Sequence, residues 1–399
     1  MSISLDKLLH IFRDNVELAS RVKALIYKYA ERLMHRGHKH IKIMNFCGTH
    51  EWTTVHYGIR SLLPNNIDLV AGPGCPVCIT PSKYIEEAIR LSLEGIPIYV
   101  FGDAYKLPAV NKVDGASSLS DAKALGADIN IVYSFLDAIK EFKARERAHE
   151  SVFIGIGFET TAPSYAVPIY SGIVPDGLYV LSILRLTPPA AEYALQAAID
   201  RGLEPVDAIV APGHVSTIIG AKPWDKVSRK FGIPTVVSGF EPADLLISIA
   251  LLLKMIYEGR SGVDIEYRRI VSYDGNVEAQ KYIYSVFEEM EAAWRGIGFI
   301  PSSGLGLRDK YRYVDAIDRF GIEEPRPDTW VDDLHPECRC AEVVLGLKKP
   351  TDCRLFMKAC TPDRPMGPCM VSLEGTCSVW ARFGGGGVAD ELAKELGLR

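Results

Sequence analysis

Short apolar runs alternate with segments of helical periodicity from residue 41 to residue 259, and few folds accommodate such an alternation. The runs predict strands, and segments between them, such as PSKYIEEAIRLSLEG at 81–95, predict helices. Strands that alternate with helices are typical of parallel sheets built from βα units. The sequence therefore predicts an α/β fold. The predicted strands are residues 41–46, 67–72, 96–102, 128–134, 151–158, 177–184, 206–214 and 233–240.

The chain has 399 residues, which is more than one hydrophobic core usually holds together. The charged helical segment 135–150 is predicted to bridge two sets of strands. We therefore predict two parallel-sheet α/β domains plus a smaller C-terminal domain. Their predicted ranges are 1–145 with N-terminal helices, 146–266, and 267–399. Further predicted elements are helices within 5–35, at 118–126, 241–259 and 276–296, a strand at 268–275, and a flexible run with a short helix at 384–399.

Composition and charge exclude several classes of protein. Hydrophobic residues make up 48% and charged residues 24%, which are ordinary values for a globular protein. The formal net charge of −5 provides no basic field for nucleic acid or anionic lipid. The longest apolar stretch, 245–253, is shorter than the roughly 20 residues that span a bilayer. The first 15 residues read as an amphipathic helix and not as a signal peptide, so a soluble cytoplasmic protein is expected.

The nine cysteines fall into two groups with none between them. In a reducing compartment they are expected to serve as ligands or redox groups more often than as disulfide staples. The early group is Cys47, Cys75 and Cys78, and the late group is Cys338, Cys340, Cys353, Cys360, Cys369 and Cys377.

The late group has the spacing C-x-C-x12-C-x6-C-x8-C-x7-C. Thiolates are soft ligands that favour iron–sulfur clusters or zinc, and a [4Fe-4S] cluster takes four of them. Six cysteines exceed that number by two, which suggests a cluster with a redox dithiol beside it. The paired CxxC signature of zinc ribbons is absent from this segment. Structural disulfides and a single structural zinc remain as alternatives.

The early group combines a CxxC motif with a separate cysteine. The spacing of GPGCPVC at 72–78 allows a small disulfide to close and open, although half of a zinc site has the same spacing. Cys47 is followed closely by His50 and Glu51. It could be a nucleophile with His50 as base, a metal ligand with His50 behind it, or a buried cysteine at a strand end.

The early cysteines follow successive strands of one predicted parallel sheet. Loops at the carboxyl ends of such strands face the same crevice, so we expect the three thiols to meet there. His214 and Glu159, in loops of the second set of strands, could face that crevice across a cleft, although each could equally be a helix cap or an ordinary turn residue.

Four motifs together resemble one family: CGTHE at 47–51, GPGCPVC at 72–78, GFETTAP at 157–163 and APGHVS at 211–216. They resemble the HypD family of hydrogenase maturation factors, and the six late cysteines, with PECRC at 336–340 and EGTC at 374–377, match that family as well. The resemblance extends over essentially the whole chain. It implies a fold of two α/β domains plus a smaller C-terminal iron–sulfur domain.

The resemblance also implies a function. Proteins of this family, with a HypC-type chaperone, form a scaffold on which the Fe(CN)2CO unit of [NiFe]-hydrogenase is built. Cys47 would hold the iron, with His50 and Glu51 beside it, and Cys75 and Cys78 would form a redox-active thiol pair. A HypE-type partner would deliver cyanide as a cysteine-bound thiocyanate, and a [4Fe-4S] cluster would supply electrons. Such a protein is an assembly factor more than a conventional turnover enzyme.

The late cysteines further resemble the arrangement in ferredoxin–thioredoxin reductase, in which an iron–sulfur cluster lies beside a redox-active disulfide. That likeness implies Cys340 and Cys369 as the redox pair. A stand-alone thiol/disulfide oxidoreductase and a structural zinc protein remain alternatives. The implied cluster ligands are Cys338, Cys353, Cys360 and Cys377.

Overall fold

The computed structural model describes residues 15–145, 150–330 and 333–384. The predicted helix before residue 15 and the predicted tail after residue 384 lie outside these ranges. The α-helices are α1 Val16–His35, α2 Gly48–His56, α3 Ile59–Leu62, α4 Ser82–Leu93, α5 Gly102–Tyr105, α6 Leu119–Ala124, α7 Phe135–Ala144, α8 Ala162–Tyr170, α9 Thr187–Asp200, α10 Gly213–Ile219, α11 Lys222–Phe231, α12 Pro242–Tyr257, α13 Val277–Val286, α14 Ala316–Phe320, α15 Cys340–Val344 and α16 Thr376–Phe383. Short 3-10 helices cover Asp309–Val314, Pro350–Asp352 and Pro368–Met370.

Two parallel sheets form the frame of the protein. The eight strands predicted between residues 41 and 240 are all present, and the sheets are covered by helices on both faces, which explains why their strands are largely apolar. The predicted α/β fold is therefore confirmed. The first sheet has the order β2 (Ile67–Ala71), β1 (Ile41–Asn45), β7 (Ala208–Pro212), β8 (Pro234–Ser238) and β9 (Gly262–Ile265). The second has the order β4 (Ile129–Val132), β3 (Ile98–Phe101), β5 (Ser151–Gly157) and β6 (Leu178–Leu184).

The two sheets interleave along the chain, which corrects the predicted division into ranges 1–145 and 146–266. β1 pairs with β7, so the chain leaves the first sheet after β2 and returns to it only at residue 208. β3 pairs with β5, so the second sheet also takes strands from both predicted ranges. The physical reason is that strand pairing is set by distant partners, whereas the alternation visible in the sequence is local.

Helices complete the cores on both faces of the first sheet. Apolar residues of α1 and α12 pack against one face, and residues of α9 and α11 pack against the other. α12 is buried along most of its length and begins at a capping box formed by Glu241 and Asp244. The mutual burial of α1 and α12 explains the nearly unbroken apolar stretch at 245–253.

Two predictions for the region after residue 267 are wrong. The expected strand at 268–275 is absent from the described residues, and the last strand of the first sheet, β9, lies just before it. The predicted helix 276–296 ends at Val286, where the chain enters an antiparallel hairpin of β10 (Phe287–Trp294) and β11 (Gly298–Leu307). Gly304 lies so close to β10 that a Cβ there would be 2.7 Å from Ala292 Cβ. This tertiary pairing overrides the local helical spacing.

The segment from residue 333 onward consists of short helices and turns that pack on the first sheet and on α2 and α4. None of the helices among the described residues is both long and apolar enough to cross a bilayer.

Candidate functional site

The carboxyl ends of the two parallel sheets meet at a cavity of about 180 Å³. In the first sheet the chain runs outward in opposite directions from β1 and β7, and in the second sheet from β3 and β5. Ligands of open α/β sheets bind at such points of reversal. Cys47 follows β1, His214 follows β7 and Thr160 follows β5, and all three line the cavity.

Cys47 occupies the N-cap position of α2. The backbone amides of Thr49 and His50 interact with its sulfur, which is the arrangement that favours a thiolate at a helix N-terminus. Burial outweighs these amides, and with the nearby carboxyl of Glu374 it raises the pKa of Cys47 to about 12. Without a bound cation this side chain is therefore a neutral thiol at neutral pH.

The GPGCPVC loop lies directly against the end of β1. A Cβ on Gly74 would be 1.5 Å from the carbonyl oxygen of Phe46, so only glycine permits this approach. The Gly48 amide donates to Gly74 O at 3.3 Å. Cys75 and Cys78 form a disulfide with Cα atoms 5.3 Å apart. The structure thus brings the loop of this sulfur pair against the Cys47 loop. The cavity that Cys47 lines is lined by Gly74 and Pro76 of that loop and not by Cys75 or Cys78, so the predicted meeting of three thiols in one crevice is met by the loops and not by all three sulfurs.

His50 lies behind Cys47 in the core and not on the cavity wall. Its Nε2 donates to Gly239 O at 2.9 Å, and its ring stacks on Phe240 with centroids 4.6 Å apart. Its Nδ1 is buried and has no partner among the described residues. Burial lowers the pKa of His50 to about 4, so the imidazole is neutral. His50 therefore supports the loop that carries Cys47.

Glu51 is directed away from the cavity that Cys47 lines. Its carboxylate accepts hydrogen bonds from Arg60 at 2.9 Å and from the indole N–H of Trp380 at 2.6 Å. It lines a separate cavity of about 260 Å³ together with these two residues. These contacts give Glu51 a role in docking α16 onto α2.

Of the two further loop residues considered from sequence, His214 lines the Cys47 cavity and Glu159 does not. The His214 ring stacks on Phe240 with centroids 3.7 Å apart. Glu159 is buried and accepts a hydrogen bond from the amide of Thr187, the first residue of α9, at 2.8 Å. Glu159 therefore acts as a cap for that helix.

Glu374 is a cavity residue that sequence reasoning missed. Its carboxylate accepts a hydrogen bond from Thr49 Oγ1 at 2.9 Å, and its backbone lies so near Gly48 that a Cβ there would be 2.3 Å from Glu374 O. Glu374 stands three residues before Cys377 in the EGTC motif. This proximity links the late cysteine segment to the Cys47 loop, and the glycine of CGTHE is the sequence signal that two backbones meet there.

Four of the six late cysteines have sulfurs close to one another. One potential ligand atom from each of Cys340, Cys369 and Cys377 lies within 4.8 Å of the others, and Cys338 Sγ is 3.2 Å from Cys340 Sγ. Backbone amides donate to two of the sulfurs: Met366 N to Cys360 Sγ and Cys377 N to Cys369 Sγ, each at 3.3 Å. Cys353 is partly exposed at the edge of this group.

The cluster of late cysteines contains members of both the predicted redox pair and the predicted set of cluster ligands. The predicted redox pair, Cys340 and Cys369, is close together, but Cys377, a predicted cluster ligand, is in the same trio. The division of the six cysteines between cluster and dithiol stays a prediction. Buried Cys75 and Cys78 belong to the same apolar cluster of side chains as the buried late cysteines. Both sulfur groups therefore share one continuous core.

The donor set fits a metal bound by thiolates. Several buried thiols within a few ångströms of one another are soft ligands, and N–H groups directed at two of the sulfurs are the contacts that tune such centres. A small C-terminal metal-binding unit is compatible with this geometry.

The fold and site define an α/β protein that places a capping cysteine, a disulfide loop and a thiol cluster around the carboxyl ends of two sheets. The family model described as "HypD: Hydrogenase formation hypA family" matches residues 20–384. This chain belongs to the HypD family of hydrogenase maturation factors.

Relatives match over nearly their full lengths. A putative hydrogenase expression/formation protein of Methanocaldococcus jannaschii is 41% identical over 365 residues, which cover 90% of this chain and 98% of the relative. The hydrogenase maturation factor HypD of Cupriavidus necator is 40% identical, covering 95% of this chain and 97% of the relative. That of Rhodobacter capsulatus is 38% identical, covering 95% and 98%.

Proposed function

We propose that this protein is a scaffold and redox factor for assembly of the Fe(CN)2CO unit of [NiFe]-hydrogenase. It would bind iron together with a HypC-type chaperone and accept cyanide from a HypE-type donor. It would act as a redox-active assembly factor more than as a conventional turnover enzyme. The proposal includes a cytoplasmic location, because free thiols persist in a reducing compartment.

The observation that carries the proposal is the position of Cys47 in a small cavity beside the disulfide loop. The cavity, at about 180 Å³, is below the roughly 300–1,000 Å³ of pockets for drug-sized ligands. It suits a metal ion with a few diatomic ligands. An iron cargo would displace the thiol proton of Cys47, and the amides of Thr49 and His50 would then face a thiolate that donates electron density to the metal.

The Cys75–Cys78 pair is suited to the redox step that cyanide delivery requires. Cleavage of a cysteine-bound thiocyanate takes two electrons and two protons and yields a thiol and hydrogen cyanide. Oxidation of a Cys75–Cys78 dithiol to the disulfide releases two electrons and two protons, so the exchange balances. The close approach of Gly74, in the same loop as the pair, to Phe46 and Cys47 supports this role.

The late cysteines would hold the resident cofactor. The proposed ligands are Cys338, Cys353, Cys360 and Cys377, with Cys340 and Cys369 as an adjacent dithiol. A [4Fe-4S] cluster held there would supply single electrons at low potential. The chain's own contribution is to exclude water and to continue the buried core toward Cys75 and Cys78.

The test is infrared spectroscopy of the complex with its chaperone, purified anaerobically. Cys47→Ala should abolish the iron-bound cyanide and carbon monoxide bands and keep the cluster absorbance. Cys353→Ala should instead abolish the cluster absorbance, and this variant serves as the matched control. Survival of the cyanide bands in the Cys47 variant would show that another group holds the iron.

The disulfide itself favours a second candidate function. A stand-alone thiol/disulfide oxidoreductase would use the Cys75–Cys78 bond on other substrates. Turnover of a generic disulfide substrate without any iron-binding partner would support it. Metal analysis of the same preparation separates the assembly scaffold and the oxidoreductase from a structural zinc protein, because zinc without iron and sulfide would exclude the iron–sulfur cluster.

A further inference from the structure

The backbone at Gly367 lies directly against the sulfurs of two late cysteines. A Cβ on this glycine would be 2.6 Å from Cys338 Sγ and 2.8 Å from Cys340 Sγ, and the next nearest atom, Cys338 Cβ, would be 4.0 Å away. Both sulfur distances are below 3.0 Å, which real Cβ atoms essentially never show. The space that a side chain would take at this position is therefore occupied by the two sulfurs.

The backbone conformation of Gly367 does not itself require glycine. Its φ of −124° and ψ of 154° are extended, and every type of residue adopts this region. The next residue is Pro368, and a residue that precedes proline favours the same extended region. The lack of a side chain at Gly367 is therefore explained by the neighbouring sulfurs and not by a turn.

The chain on either side of Gly367 holds two further late cysteines. The backbone amide of Met366 donates to Cys360 Sγ at 3.3 Å. The carbonyl oxygen of Gly367 accepts the amide of Met370 at 3.1 Å, which closes the short 3-10 turn that carries Cys369. Gly367 thus lies where segments that carry four of the late cysteines meet.

The two sulfurs that lie against Gly367 also touch each other. Cys338 Sγ is 3.2 Å from Cys340 Sγ. In the proposed division of the late cysteines, Cys338 is a cluster ligand and Cys340 belongs to the adjacent dithiol. A side chain at Gly367 would displace one or both sulfurs and open this contact. The glycine therefore keeps a ligand sulfur and a dithiol sulfur side by side.

We propose that Gly367 is a positioning residue whose missing side chain leaves room for the sulfurs of Cys338 and Cys340 to converge at the late metal centre. The inference rests on the proposed thiolate-bound metal. A bound metal holds its thiolate ligands at fixed distances, so a ligand sulfur cannot turn away from an added Cβ. A metal-free thiol can turn about its Cα–Cβ bond. A side chain at this position therefore penalises the metal-bound state more than the metal-free state.

Gly304 provides a matched control. It lies within β11, and a Cβ there would be 2.7 Å from Ala292 Cβ and 3.3 Å from Met290 Cγ. The crowding is therefore as severe as at Gly367, but the three atoms nearest to the added Cβ include no sulfur. Gly304→Ala reproduces the overpacking without displacing a late cysteine.

The test uses Co²⁺ as a probe on the full reduced chain freed of metal, because thiolate ligation gives Co²⁺ intense charge-transfer bands. Gly367→Ala should weaken Co²⁺ binding about tenfold, an effect within the range that overpacking produces. Gly367→Val adds two further methyl groups at the same place and should weaken it more. Gly304→Ala should match the wild type. The early cysteines are the same in every variant, so differences between variants report the late group.

Urea unfolding of the metal-free chains is the second readout. Gly304→Ala should lower the unfolding midpoint more than Gly367→Ala does, because Ala292 Cβ is fixed to its backbone whereas a free thiol can turn. Wild-type affinity in both Gly367 variants, equal weakening in Gly304→Ala, or a midpoint that falls as far in Gly367→Ala as in Gly304→Ala overturns the inference and leaves the proposed function standing. A wild-type chain that shows no thiolate bands on adding Co²⁺ removes the metal centre itself and this inference with it.

Discussion

Glu159 is a fully buried carboxyl beside the cavity, and it gives the fold a pH dependence. Burial raises the pKa of Glu159 from 4.5 to about 7, against the hydrogen bond from Thr187. A raised folded-state pKa adds stability that is fully present below pH 4.5 and is lost as the pH rises to 7. Glu159→Gln should remove this loss, about 3 kcal/mol between pH 4.5 and pH 8. Urea unfolding at both pH values measures it.

Glu150 supplies a control of opposite sign. A hydrogen bond from Arg319 is the first cause that lowers the pKa of Glu150. Glu150→Gln should therefore reduce stability at neutral pH and have no effect at pH values well below its ordinary pKa. Parallel pH profiles for wild type and Glu159→Gln would refute the assignment of the slope to Glu159.

Gly74 is the residue whose lack of a side chain lets the disulfide loop reach the end of β1. Gly74→Ala places a Cβ 1.5 Å from Phe46 O and should destabilise the protein by about 1–3 kcal/mol, as overpacking does. Gly102→Ala is the control, because its Cβ would meet only Ile131 Cγ2 at 3.8 Å. The urea unfolding midpoints of the two variants are compared, and equal midpoints would mean that the disulfide loop can move away from β1 at little cost.

At the scale of elements, α16 is attached to α2 through Glu51. Trp380→Phe removes the indole N–H that donates to the Glu51 carboxylate, which is buried, and should cost about 1–3 kcal/mol. Trp330→Phe is the control, because Trp330 is only partly buried and its contact with Phe299 is edge-on. The free energy of unfolding measures both. A larger loss in the Trp330 variant would contradict this docking role.

The elements also show what the sequence can and cannot predict. The strands of the two sheets were predictable because each is a short apolar run buried on both faces. Residues 287–294 were predicted as helix because their spacing is compatible with one, and the glycine-rich partner β11 follows only after a turn. The convergence of Cys47 with the CxxC loop was predictable from neighbouring strands. Glu374 reaches the Cys47 loop by long-range packing, which no local pattern records.

At the scale of the whole molecule, the interleaved sheets make the two halves of the chain mutually dependent. A fragment of residues 1–145 keeps β1 and β2 but loses β7, and it keeps β3 and β4 but loses β5. Each partial sheet would expose apolar surface and an unpaired edge. We expect this fragment to lack a cooperative thermal transition by circular dichroism, with the full chain as control. A cooperative transition in the fragment would show that this range folds alone.

The pairing of β1 with β7 and the contact of Gly48 with Glu374 have a consequence for biosynthesis. At ribosomal speeds of about 5–20 residues per second, synthesis takes on the order of half a minute to proceed from Cys47 to Glu374, which completes the cavity. A nascent polypeptide therefore exposes its first thiol without a pocket around it. The cavity around Cys47 is consequently complete only after Glu374 has been translated.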